Sequence, residues 1–200
     1  EYETKVPLWY TGQCPVIEDG VAIIAPGGKA LMIAVDCATG EVLWETPNPA
    51  DWKMSHSSIT PTNIAGKKMY VYPYIGGMAG ISAAGEDLGK VLWKTTEWNH
   101  SVVAPAPVPI GDDRILVTAG YGSGSAIFKI EKSGADYNAQ QVKTLSKKEL
   151  ACEQHTPIYY RDHIFTVMPA DAGGLRLQAV CADTNGDIVW NSGKDQRFGI

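Results

Sequence analysis

The sequence predicts an all-β fold, a β-propeller of four-stranded antiparallel blades with about four blades in 200 residues. Three observations carry this. The stretch Ala34-Val35-Asp36-Cys37-Ala38-Thr39-Gly40-Glu41-Val42-Leu43-Trp44 reads as an apolar strand, a Thr-Gly turn and a second strand with a Trp four residues past the Gly, which is hairpin grammar. Its Gly-x-x-x-Trp end returns at Gly89 to Trp93, 49 residues later, and at Gly186 to Trp190, 97 residues after that. Such a period marks an array of similar supersecondary units. Finally, Pro15, Pro61 and Pro157 each stand five positions before a turn residue (Gly20, Gly66, Asp162), and Pro105 or Pro107 does the same job before Gly111. Proline cannot donate to a ladder, so it belongs on an edge, and the innermost strand of a blade is one.

In chain order, Leu8-Trp9-Tyr10 reads as the last strand of a preceding blade, within 1–10. The first blade, 11–48, has strand-like runs at 14–18, 21–25, 31–37 and 41–45, separated by Asp-Gly, Gly-Gly and Thr-Gly turns. The second, 55–97, runs 58–64, 68–72, 78–83 and 90–95. The third, 101–146, runs 103–110, 114–118, 125–131 and 140–144, and its last strand, Gln140-Gln141-Val142-Lys143, has lost the Trp. The fourth, 153–194, runs 156–160, 163–168, 176–182 and 187–191. No segment of useful length has helical periodicity. Beyond it, Arg197-Phe198-Gly199-Ile200 leads toward another inner strand. The expectation is about half of a larger propeller in a single domain, completed by further blades or by a second copy.

Composition narrows the function classes. The chain is 44% hydrophobic and 20% charged, ordinary for a protein with a sizeable core. A formal charge of −5 with no basic run longer than two residues disfavours nucleic acid as a partner. No run reaches the roughly 18 apolar residues of a membrane span, and Glu1-Tyr2-Glu3-Thr4-Lys5 is not a signal peptide. Cys14, Cys37, Cys152 and Cys181 match no CxxC metal pattern and are expected to be mostly buried free thiols.

The run Ala-x-Asp-x-x-Thr-Gly-x-x-x-Trp at Ala34 to Trp44 resembles the tryptophan-docking motif of the quinoprotein, or pyrroloquinoline quinone-like, β-propellers. It is full in the first unit, partial in the second and fourth, and eroded in the third. Trp44, Trp93 and Trp190, with Gly40, Gly89 and Gly186, are therefore expected to be structural, each Trp covering the turn of a neighbouring blade. The resemblance implies a propeller of seven or eight blades located outside the cytoplasm, periplasmic, at the cell surface or secreted. Two functions are compatible with it. One is a non-catalytic binding or assembly scaffold, as in the bacterial outer-membrane assembly lipoproteins that share the fold, with a protein partner or small polar ligand on the propeller face and no cofactor. The other is part of an oxidoreductase acting on alcohols or sugars with pyrroloquinoline quinone and calcium. The adjacent Cys-Cys pair that many such dehydrogenases carry does not occur here, and none of their cation ligands can be matched residue by residue.

Meander geometry puts the blade-to-blade connections and the loops between second and third strands on one face. The connections carry His56, His100 and His155, with Trp52 and Trp98 nearby; the loops carry Gly27-Gly28, Gly76-Gly77, Gly120 to Gly124 and Gly173-Gly174. His56 and His100 each precede a strand proline by five residues, so equivalent placement would set them side by side at the tunnel mouth. They either cap strand starts or, with His155, form a ligand or metal site between tryptophan walls. The Gly120 to Gly124 run is followed by a strand, where a phosphate-binding loop requires a helix.

Overall fold

A computed structural model describes residues 1–9 and 11–199. Among these residues sixteen strands form four antiparallel sheets, each in simple meander order. The first blade holds β1 (Val16–Glu18), β2 (Val21–Ile24), β3 (Ala30–Asp36) and β4 (Val42–Pro47). In the second are β5 (Thr60–Ile64), β6 (Lys67–Tyr74), β7 (Gly77–Ser82) and β8 (Val91–Thr95). The third has β9 (Val108–Ile110), β10 (Arg114–Ala119), β11 (Gly124–Ser133) and β12 (Asp136–Leu145). The last comprises β13 (Ile158–Tyr160), β14 (His163–Val167), β15 (Ala179–Asp183) and β16 (Ile188–Asn191). A single 3-10 turn at Gly173–Leu175 is the only helical element among the described residues, and no helix there is long and apolar enough to cross a membrane.

The prolines lie on or just before the edge strands β1, β5, β9 and β13. β9 is shorter than the sequence suggests because Pro105 and Pro107 leave Val108 as the first residue free to join the ladder. In the third blade β11 and β12 run on to a hairpin tip at Gly134-Ala135, longer than any other pair. Leu8 and Trp9 form a bend instead of the expected last strand of a preceding blade, and Trp9 takes a left-handed backbone (φ 78°). An outermost strand needs an inner neighbour to pair with, and residues 1–9 join none of the sheets. Tyr10 lies outside the described residues.

Three apolar clusters lie between the four blades. Ile23 and Ala34 of the first meet Tyr70, Tyr72, Tyr74 and Ile81 of the second. Met69, Val71, Met78 and Trp93 of the second meet Ile115, Val117 and Phe128 of the third. Leu116 and Ile127 of the third meet Ile164, Val180 and Ala182 of the fourth. Neighbouring residues along β6 and β10 therefore serve different clusters, as strand alternation requires, and both strands are buried on the two faces.

The motif carboxylate Asp36 builds its turn. Its Oδ1 accepts from the N–H of Ala38 (2.9 Å), the N–H of Thr39 (2.8 Å) and the Thr39 hydroxyl (3.0 Å). The Thr39 bonds, with that from Ala38, hold the Asp36 carboxyl below the usual carboxylate range. The Trp44 ring lies on Gly89, in the β7–β8 turn of the next blade, where an added Cβ would stand 2.9 Å from it and where φ is +78°. Thr46 supports this contact by donating its hydroxyl to Gly89 O at 2.6 Å. In the third blade, which lacks the Trp, Leu145 covers Gly186 of the fourth.

Trp93 is arranged differently. It lies across Gly80 on its own β7, donates its indole N–H to Met69 Sδ (3.3 Å) and is 3% exposed in the second cluster. Trp93→Ala should therefore cost about 3–5 kcal/mol of folding stability. Gly80→Ala, whose methyl would collide with the indole, should cost about 1–3 kcal/mol. Urea denaturation of both variants checks the pair; wild-type midpoints would contradict this packing.

Candidate binding site at the propeller axis

The connection from the first to the second blade is built on Asn48. Its Nδ2 donates to Gly28 O and Trp52 O (both 2.7 Å), and its Oδ1 accepts from the Trp52 N–H (3.1 Å). Lys53 then exchanges backbone bonds with Ile75 (3.0 and 2.9 Å). The Trp52 ring lies on Gly76 and Gly77, and the Glu153 side chain occupies the place a Cβ on Gly120 would need. Connections and glycine loops thus share one face, and glycine is required where a connection presses on a loop.

On that face a cavity of about 290 Å³ opens at the axis, and all four blades contribute their lead-in segments to it. Gly12 comes from the first, His56 and Ser58 from the second, Val102 and Ala104 from the third, and Glu153, Gln154 and Thr156 from the fourth. Trp9 and Tyr121 complete the wall with ring centroids 6.0 Å apart; they are 61% and 60% exposed. Trp9 also stands 6.0 Å from the His56 ring. Tyr72 anchors the floor nearby: its hydroxyl accepts from Gln13 Nε2 (2.9 Å) and from the Ser55 N–H (3.1 Å) and donates to Ser55 O (3.1 Å). Gln13 is tied in turn to both backbone groups of Ala25 (2.9 Å each).

Of the three candidate histidines, only His56 lines this cavity. Its Nε2–H donates to Leu8 O at 2.7 Å, so the ring clamps the N-terminal segment. His100 packs edge-on against Trp98 with centroids 4.3 Å apart. His155 turns away from the axis: the Val167 N–H donates to its Nε2 (3.1 Å) and the Thr166 hydroxyl is at the same distance. Burial holds the His100 and His155 pKa values below the ordinary imidazole value. Trp52 and Trp98 are buried in the inter-blade clusters, not arrayed as walls of the mouth. Among the described residues no group of three His, Cys, Asp or Glu side chains is arranged to hold a metal ion.

Three residues of the opening, Trp9, Tyr121 and Glu153, carry no sequence signal that sets them apart. Trp9 lies in a strand-like run, Tyr121 in a glycine-rich turn, and Glu153 two residues before His155, so no local pattern marks them. Of the docking set, Gly40 has no neighbouring atom within 4 Å of a Cβ position, and Trp190 is 48% exposed.

All four cysteines are free thiols, but Cys14 and Cys37 are exposed, contrary to the expectation of mostly buried ones. Burial pushes the Cys152 thiol up to about 11 and raises that of Cys181. A native sample at pH 8 should therefore show two fast-reacting thiols toward a disulfide reagent, and four after denaturation. The histidines make a second expectation. Folded His100 and His155 favour the neutral ring, while the unfolded chain takes up protons near pH 6.5. Their contribution is present above that pH and is lost as pH falls through it toward the lower folded values. Midpoints of chemical denaturation measured from pH 8 to pH 5 should fall, and His155→Gln should flatten the slope.

No protein-family model matches the sequence, and no curated protein matches it. Solved structures do match. A quinohemoprotein alcohol dehydrogenase, ADHIIG from Pseudomonas putida HK5, is 13% identical with a TM-score of 0.60, over 96% of this chain and 34% of its own. A europium-containing methanol dehydrogenase is 13% identical with a TM-score of 0.57, over 92% and 42%. A protein of unknown function from Bacteroides caccae is 15% identical with a TM-score of 0.55, over 96% and 64%. The chain thus spans between about a third and two thirds of the structures it matches. At these identities the likeness concerns the fold: four antiparallel blades of the β-propeller type found in the quinoprotein dehydrogenases.

Proposed function

We propose that the chain is a non-catalytic binding propeller located outside the cytoplasm, whose axial opening docks a segment of a partner polypeptide. The observation that carries this reading is the pairing of Trp9 and Tyr121, two exposed rings 6.0 Å apart at a cavity of about 290 Å³. Val6 and Leu8 extend the same apolar strip along the N-terminal segment, and both are exposed. Exposed apolar strips with aromatic anchors are typical of protein docking surfaces. Ser58, Gln154, Thr156 and Glu153 supply polar groups around the anchors for a backbone to bond. The extracytoplasmic location rests on the fold resemblance alone.

The second reading, a quinone-dependent oxidoreductase, is favoured by two structural neighbours being an alcohol and a methanol dehydrogenase. The residues at the opening do not fit a quinone with its cation. A hard cation such as calcium takes about six to eight oxygen ligands, whereas Glu153 is the single carboxylate lining the cavity. The His56 Nε2 there is committed to Leu8 O.

Two titrations separate the readings. Calorimetry with pyrroloquinoline quinone, with and without calcium, should give no saturable heat; saturable binding lost in a His56→Ala variant would overturn the scaffold reading. Selection from a phage-displayed library of unstructured peptides should enrich binders, and their affinity should fall at least about tenfold in a Trp9→Ala, Tyr121→Ala double variant. Peptides that bind both forms equally would remove the axial opening from the proposal.

A further inference from the structure

The two rings at the axial opening are carried by unusual backbone. Trp9 sits at φ 78° and Tyr121 at φ 55°, in the left-handed region where a bulky side chain is an outlier. Neighbours hold both in place. The His56 Nε2 bond to Leu8 O (2.7 Å) ties down the residue before Trp9, and the Glu153 side chain lies on Gly120, the residue before Tyr121. Backbone outliers of this kind collect where a ligand is clamped. Here they set a ring of the N-terminal segment 6.0 Å from a ring of the β10–β11 loop, inclined to it by 31°.

The charge around these rings has one sign. Aromatic faces are the negative pole of a quadrupole, and Glu153 is the single carboxylate in the lining. Among the described residues no lysine or arginine lines the cavity, and none pairs with Glu153. Ser58, Gln154 and Thr156 bring neutral polar groups only. A segment docked here has to answer that charge. Closing the opening over a neutral stretch would strip water from the Glu153 carboxylate and give it no counter-ion, which is costly; an anionic stretch would add repulsion. A cation removes the cost.

Ring spacing points to the same chemistry. With centroids 6.0 Å apart, one cation can stand within about 6 Å of both, the range of cation–π attraction. Arginine suits the place better than lysine, because its planar guanidinium stacks on aromatic faces and offers a carboxylate two parallel N–H donors. We infer that the axial opening recognises a guanidinium group, that of an arginine in the docked segment, with Trp9 and Tyr121 holding it and Glu153 pairing with it. The arginine's place in a polypeptide rests on the docking reading above; the demand for a cation comes from the rings and the carboxylate.

The test uses two blocked tripeptides, acetyl-Gly-Arg-Gly-amide and its citrulline counterpart, which keeps the shape and loses the charge. Binding is read from the indole N–H resonance of Trp9, assigned by its disappearance in Trp9→Phe. The arginine peptide should shift it saturably and bind at least about fivefold more tightly than the citrulline peptide at low salt, an advantage that shrinks as salt is added. Glu153→Gln, nearly equal in size, should bring the two affinities together, whereas a merely structural Glu153 would leave their ratio unchanged. Tyr121→Leu should weaken the arginine peptide at least about threefold. Equal affinities for the wild-type chain, no saturable shift with either peptide, or a preference that survives Glu153→Gln would each overturn the inference.

This inference and the docking reading fail separately. Library peptides that need Trp9 and Tyr121 but keep their affinity when arginine is replaced by citrulline would leave docking in place and remove the guanidinium site. A tripeptide preference that Glu153→Gln abolishes, with no library peptide enriched, would do the reverse and assign the site to free guanidinium compounds.

Discussion

A four-stranded blade has two apolar faces and can bury neither by itself. Everything else in this protein follows from that constraint. The tyrosines of β6 fill the space toward the first blade while Met69 and Val71 on the same strand fill the space toward the third. Burial on both sides turns β6 and β10 into nearly continuous apolar runs, unlike the partly buried β2 and β14 of the first and fourth blades. Stability of such an array is a sum of interfaces between neighbours, and among the described residues three apolar clusters join successive blades.

Close approach of blades at their outer turns demands glycine, and the same demand shapes the functional face. Trp44 over Gly89 and Leu145 over Gly186 staple the periphery. Trp52 over Gly76 and Gly77, and Glu153 over Gly120, bring the blade-to-blade connections down onto the inner loops. The axial cavity is what remains where four such connections meet. Its walls are therefore set by the path of the connections, which Asn48, Lys53 and the Tyr72 hydroxyl hold in place.

The histidines illustrate how a regular repeat can mislead. His56 and His100 occupy equal offsets from their prolines, yet one holds Leu8 and the other lies on Trp98. Equal sequence offset fixes backbone position only; the rotamer of each ring answers to its own neighbours, and those differ because the N-terminal segment enters beside one blade alone. The erosion of the third blade teaches the converse. Its motif Trp is lost, but Leu145, two residues beyond Lys143 at the register position of Trp44, supplies the apolar cover for Gly186. The turn glycine is covered in both places, by a side chain at a different point along the strand.

By itself the amino-acid sequence determined the unit and its repetition. Strand alternation, turn glycines, edge prolines and the Asp36-x-x-Thr39-Gly40 turn are local chemistry, readable because the groups that interact lie within a few residues of one another. Tertiary structure decided which face of each strand meets which blade, that Trp93 covers Gly80 of its own sheet, and that Trp9 and Tyr121 stand together at the axis although 112 residues separate them. These contacts join side chains brought together only when the blades stack, and no periodicity along the chain encodes the rotamer or the neighbour a ring will find there.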